Sequence, residues 1–339
     1  MGQGLKAVGG NPASPPYRNG PYVWDQQVTF SQGSGIPIGE GAVWYVDGTN
    51  GVSGNNGKSW NTAIDTIQAA VTLAGPGDTI FITANDLTDF TGDPTSYAET
   101  IIIPAATSNL SLIGISRGRT QGGLPQIKIG AGAVAMLTIR APGCLIANLG
   151  FNGYGSTGGG ILLDDDYATK CAFGTSIVGC HFKNCVVTTL RAETGGAIYT
   201  TSAGNCWQVY IGGNNFYKNM ADISLVGTSN TQPQDWVIEN NVFSGPAANV
   251  DCNLYLKGAG DGVNGVVVNN NIFPCDPAIS NGTHNISCDL TGCVGIYSNN
   301  MHGHTGLTLG DGTVTGGIIP TTVFMVNNFQ EDAIITRQS

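Results

Sequence analysis

The chain has 339 residues and is acidic: 13 Lys and Arg stand against 23 Asp and Glu, for a formal charge of −10. So few basic residues argue against a nucleic-acid or anionic-lipid partner. With 41% hydrophobic residues the chain is not of a disordered type, and its 51 glycines follow no three-residue period, so collagen is excluded.

Residues 1–41 read as an extended arm. The stretch "NPASPPYRNGPYVWDQQVTFSQGSGIPIGEG" is rich in Pro and Gly and has no period. It carries Tyr17, Tyr22, Trp24 and Phe30, which so short a segment cannot bury alone. We expect these four to anchor the arm on a partner. The first sixteen residues hold no apolar core segment, so no secretory signal is expected and assembly in a reducing cytosol is. No apolar run reaches the roughly 18 residues of a membrane span, so membrane insertion is not expected.

Residues 42–100 open with an alternating strand, "AVWYVD", and a loop, "GTNGVSGNNG". Trp60, Ala63, Ile64, Ile67, Val71 and Ala74 then follow helical spacing, with Ser59 or Asn61 as cap and Gly75-Pro76 as stop. "GDTIFIT" returns to strand. "GNNGKS" is not a phosphate-binding loop, because Gly51 and Gly57 are one residue too far apart.

From residue 101 to 339 one phrase keeps returning: "SIVGCHFKN", "YIGGNNFYKN", "VIENNVFSG", "VVNNNIFPC", "IYSNNMHGH", "FMVNNFQ". Its closing rings fall at Phe151, Phe182, Phe216, Phe243, Phe273, His302 and Phe329, in steps of 31, 34, 27, 30, 29 and 27 residues. A period in that range means stacked repeats. Gly, Asn and Val are too common, and helix formers too rare, for a helical solenoid. A second strand per unit alternates: Ile161/Leu163, Ile198/Thr200, Ile223/Leu225, Leu254/Leu256, Ile286/Cys288, Leu307/Leu309. Two or three strands per unit fit one rung of a parallel β-helix. Phe should then stack on Phe inside, and Asn240/Asn241, Asn269/Asn270 and Asn299/Asn300 should form a corner, because Asn tolerates left-handed backbone and its amide can bridge rungs. The helix near residue 67 would cover the open end of the first rung.

The block "YVDGTNG…GKSWNTAIDTIQAAV…GDTIFI" resembles the N-terminal cap of right-handed parallel β-helix proteins of the pectate-lyase-like superfamily, phage tailspikes and virion spikes included. The resemblance runs from about residue 42 to 335. It implies an all-β right-handed β-helix with a capping helix. The family's pectate lyases carry an Arg-dependent, calcium-assisted site and a Trp-x-Asp-His-like block; "WVIENN" here lacks the Asp-His.

Several residues could carry chemistry. Asp164 and Asp166, at the end of "GGILLDDD", would lie on one face about 6.6–7 Å apart, near the separation of an inverting glycosidase pair; the alternative is a solvated turn. Asp222 and Asp251 precede strands of successive units and could be neighbours on adjacent rungs; the alternative is a solvated edge. Trp207 and Trp236 could stack on sugars or pack in the core. His302 and His304 form an H-x-H without a third ligand, so stacking is expected, not metal. The nine Cys contain no C-x-x-C and should be buried apolar residues. No cofactor is expected.

Three functions fit. The leading one is a phage virion spike, a tailspike, tail fibre or capsid decoration. It would be a homotrimer joined to other virion proteins through residues 1–41, facing host polysaccharide and assembled in the host cytoplasm, with no catalysis. The others are a polysaccharide lyase or hydrolase on the same fold, and a bacterial surface adhesin.

Overall fold

Strands of two to six residues stack into three parallel sheets. The computed structural model describes residues 41–84, 97–115, 123–130, 134–153, 158–166, 168–185, 196–200, 206–225, 233–244, 252–256, 262–273, 286–302, 308–309, 318–330 and 333–335. The anchoring residues Tyr17, Tyr22, Trp24 and Phe30, together with Asp251 and His304, lie outside them.

Each unit lays down one strand per sheet. Tyr210–Gly212 joins sheet A, Asn215–Tyr217 sheet B and Ala221–Ser224 sheet C; the chain then returns to sheet A at Val237–Glu239. Among the described residues, sheet A stacks ten strands from Val43–Val46 to Val323–Val326. Pairing is parallel until the end, where Ala333–Ile335 folds back antiparallel on Asn328–Gln330. The architecture is the parallel β-solenoid that the repeat predicts.

The interior is apolar because each short strand sends alternate side chains inward. Phe151, Phe182, Phe216, Phe243 and Phe273 stack with centroids 4.8–5.0 Å apart, and His302 continues the pile 4.8 Å above Phe273. That spacing is the inter-strand distance, so one ring per rung fills the column. Phe329 departs from the pattern. It pairs with Met301, while Gln330 stands over His302, so Phe329 points outward and is exposed.

The corner between sheets A and B is the predicted Asn turn, with one correction. In the triple "NNN" the corner pair is Asn270/Asn271, not Asn269/Asn270. Asn240, Asn270, Asn299 and Asn327 hold the left-handed conformation, with φ between 49° and 58°. Asn241, Asn271, Asn300 and Asn328, each one position later, are fully buried, as is Asn214 after the left-handed Gly213. Asn269 instead ends its strand and accepts from Ser298 Oγ and Asn299 Nδ2.

The capping helix is shorter than its spacing predicts. Trp60–Thr62 is a single 3-10 turn, Ile64 bridges to Val46, and the α-helix spans only Ile67–Leu73. Neither Ser59 nor Asn61 caps it. The N–H groups of Ile67 and Gln68 donate to the two carboxylate oxygens of Glu99, at 3.0 and 2.8 Å. A carboxylate thirty residues downstream takes over the capping task, and its negative charge suits the positive end of the helix. The helix buries Ile67, Ala70 and Val71 against the first rung.

Cys144, Cys171, Cys180, Cys185, Cys206, Cys288 and Cys293 are free thiols, and all of these but Cys171 are buried. Burial pushes the Cys144, Cys180 and Cys293 thiols up to about 12, so they behave as small apolar side chains.

Candidate functional site

Of the polar side chains singled out in the sequence, Asp164 and Asp222 belong to the outer side of sheet C. Ile161, Ile198, Ile223, Leu254 and Cys288 of this sheet point into the core. Their neighbours form a row on the opposite face, one residue per rung: Thr138, Leu162, Tyr199, Ser224, Tyr255, Asp289.

Asp222 lies beside this row in the strand Ala221–Ser224. It is 3% exposed, not a solvated edge. The register pairs Ala221 with Cys252 and Ile223 with Leu254, which sets Asp222 opposite Asn253 and not Asp251. Asn253 Nδ2 donates to one carboxyl oxygen at 2.6 Å, and Asn219 Nδ2 to the other at 2.8 Å. Loss of water raises the pKa to about 7, against these two bonds, which lower it. Asp222 is thus held toward its protonated form, the state in which a carboxyl can serve as an acid.

Asp164, Asp165 and Asp166 form neither the facing pair nor the solvated turn that the sequence offered as its alternative. The strand ends at Leu163, and the three carboxylates diverge. Asp164 is buried and paired with Arg140 Nε at 2.8 Å and Lys170 Nζ at 3.2 Å. Asp165 is buried and accepts the N–H of Ala172. Asp166 accepts the Thr169 hydroxyl and the N–H groups of Ala168, Thr169 and Lys170. Those bonds, the Thr169 hydroxyl first, hold its carboxyl far below the usual range. Asp164 and Asp166 thus tie down the turn at 166–170 and do not face each other as an acid–base pair.

The two candidate tryptophans part company. Trp236 is fully buried, and its Nε1 donates to the Cys206 carbonyl at 2.6 Å, so it is a core residue and not a sugar platform. Trp207 is 37% exposed on the connection from sheet C to sheet A. His302 is buried, with Nε2 2.7 Å from the Tyr297 hydroxyl, and is a stacking residue as expected. Among the described residues no group of His, Cys, Asp or Glu is arranged to hold a metal ion.

The sequence reading passed over Tyr199 and Asp289. The Tyr199 ring lies across Gly159, where any Cβ would come within 2.2 Å of it, and its hydroxyl donates to the Val134 carbonyl. The signal was present in "GGILLDD" above "GGAIYTT", since a paired glycine under an aromatic marks close approach. Asp289 is buried, with one carboxyl oxygen bonded to Thr291 and the other without a partner among the described residues. It stands two rungs from Asp222, roughly 10 Å or more by strand spacing. That is wider than a retaining pair and beyond the range of an inverting one.

No protein-family model matches the chain, and no curated protein matches it in sequence. Among solved structures it is similar to the GH136 lacto-N-biosidase from Eubacterium ramulus, with a TM-score of 0.51 and 10% identity over 85% of this chain. The match spans 56% of that enzyme's length. It is also similar to the pectate lyase Bsp165PelA from Bacillus sp. N165, with a TM-score of 0.49 and 17% identity over 90% of this chain and 85% of that one. What the likeness shows is the architecture: the chain is a parallel β-solenoid.

Proposed function

We propose that this chain acts on carbohydrate, taking a polysaccharide beside sheet C. The observation that carries the reading is Asp222: a buried carboxyl with a pKa near 7, held by two asparagine amides on the face that also bears Tyr199 and Tyr255. A glycosidic oxygen needs a proton donor of that kind in a partly dry site. Trp207 supplies an exposed ring at the rim, suited to stacking on a sugar. The lyases and hydrolases among the structural neighbours support the class of substrate by analogy of fold only.

A second reading, a non-catalytic virion spike anchored by residues 1–41, is favoured by a different observation. The buried asparagines of the A/B corner are all engaged in inter-rung bonds, which suits a rigid rod.

The test is binding and turnover on a panel of acidic and neutral bacterial polysaccharides. Saturable binding weakened by Trp207→Ala, with turnover abolished by Asp222→Asn, establishes the first reading. Binding without turnover leaves a glycan-binding spike. No binding to any glycan sinks the first reading. The spike reading is then tested by deleting residues 2–38, which should leave a folded solenoid that no longer joins its assembly.

A further inference from the structure

Two rows of outward side chains run up the solenoid on either side of the Asn corner. On sheet A the register stacks Val237, Val267, Ile296 and Phe324. On sheet B it stacks Val242, Ile272, Met301 and Phe329. Lower down, the same rows hold Ser176 and Tyr210 on sheet A, and His181 and Asn215 on sheet B. Rung by rung the pair therefore changes from polar to small apolar, then to Ile with Met, and finally to Phe with Phe. Of the thirteen exposed large apolar residues among those described, six lie on these last rungs: Ile272, Val294, Ile296, Met301, Phe324 and Phe329. Water-facing positions of a strand normally carry polar residues, and a concentration of this kind marks an interaction surface.

We propose that this face is an interface between copies of this chain, packed side by side with the Asn corner pointing at a shared axis. Three observations select a second copy. Among the described residues the two rows carry no charge from Val267 upward, so two copies of a chain with net charge −10 can approach there without like-charge repulsion between them. Among the described residues its polar groups are paired along the axis: Asn270 Nδ2 donates to Asn240 Oδ1 at 2.6 Å, Asn299 Nδ2 to Asn269 Oδ1 at 2.9 Å, and Ser298 Oγ to Asn269 Oδ1 at 3.0 Å. Covering them leaves few unmet hydrogen bonds. The side chains also repeat at the strand spacing of about 4.8 Å, and a parallel copy presents the same repeat at the same height.

The two rows sit on different sheets, so one flat partner cannot cover both. In a closed ring each protomer sets its sheet A row on the sheet B row of the next, and both are buried in every copy. Contact tightens toward the last rungs, where the side chains are largest.

Sedimentation of the full chain tests this directly. The expected result is one discrete species at a multiple of the 35.0 kDa chain mass. Ile296→Lys combined with Met301→Lys should turn it into a monomer with an unchanged circular dichroism spectrum, because both positions face outward. Ile115→Lys, an exposed site low on sheet A, should leave the oligomer intact. A double variant with Phe324→Cys and Phe329→Cys should oxidise into covalent species larger than a dimer, while either change alone should not cross-link. A monomeric wild-type chain overturns the proposal, and so does an oligomer that survives Ile296→Lys with Met301→Lys. Efficient dimer formation by Phe324→Cys alone overturns the ring.

Discussion

Asn300 Oδ1 accepts two hydrogen bonds from Asn271 at once, from its backbone N–H and from its Nδ2, each at 3.0 Å. Asn271 Oδ1 does the same for Asn241, and Asn241 Oδ1 for Asn214. Each Nδ2 also donates to a carbonyl one rung below, such as that of Ile238 for Asn271. The amide thus supplies the acceptor and donors that the turn leaves unmatched in the interior.

Removing one link orphans groups on both sides. Asn271→Ala strips partners from Asn241 and from the Ile238 carbonyl, all in the dry core. Unsatisfied buried groups cost about 1–3 kcal/mol each, so we expect a loss on the order of 3 kcal/mol in urea unfolding. Asn270→Gly, at the left-handed position one residue earlier, should cost far less, because glycine adopts that conformation without strain. Equal losses at the two positions would contradict this division of labour.

The ring column makes a second contrast. Phe216→Ala should cost about 3–5 kcal/mol, as for a fully buried ring. Phe329→Ala should leave the stability of the isolated chain within about 0.5 kcal/mol, as at other surface sites, although both rings close the same recurring phrase. Thermal unfolding of the two variants checks it.

The ladders were legible because stacking converts a sequence period into like-on-like contact. Phe216 beneath Phe243, and Asn241 beneath Asn271, each announce themselves by recurring at the same place in the unit. Features that belong to one rung could not be read this way. The bonds of Asp222 to Asn219 and Asn253 depend on which residue the register sets opposite, and "AD" above "DC" in the sequence suggests Asp251 as readily as Asn253. Trp207 and Trp236 look alike in the sequence; only their place relative to the sheet A strands makes one a rim residue and the other core. Phe329 slipped out of the column because its unit has one residue fewer between corner and ring: Asn328 is followed directly by Phe329, whereas Asn300 is separated from His302 by Met301.

Glu99 yields a third prediction. Glu99→Ala removes the carboxylate that receives the first two helix N–H groups. We expect a loss of about 1–2 kcal/mol, the usual worth of an N-cap, and faster proteolysis confined to residues 60–75. Glu99→Gln keeps an acceptor for one N–H and should recover part of it. Uniform proteolysis along the chain would mean that the helix is not a separate cap.

The last prediction concerns pH. Asp222 is buried, and desolvation raises its pKa from 3.8 to about 7. Between those values the folded chain holds a proton that the unfolded chain releases, so this group's contribution to stability falls as pH rises from about 4 to 7. The full effect is on the order of 4 kcal/mol, reduced by whatever water reaches the site. His181 and His302 act in the opposite sense. Burial lowers both from 6.5 to about 4, so the unfolded chain binds protons first as pH falls, and stability drops with acid across that window. The wild-type profile is therefore a compromise between opposed slopes, and single substitutions should separate them. Asp222→Asn removes the descending limb, so the variant gains on the wild type from pH 4 to about pH 7 and levels off above that. His302→Phe extends the ring column with an apolar ring and forfeits the bond to Tyr297. It should lose stability at pH 7 but flatten the acid side below pH 6.5. Urea unfolding of the three proteins at pH 4, 5.5, 7 and 8 distinguishes the terms. If the difference between Asp222→Asn and wild type does not change with pH, the Asp222 carboxyl is ionised throughout, and its role as a proton donor on sheet C fails with it.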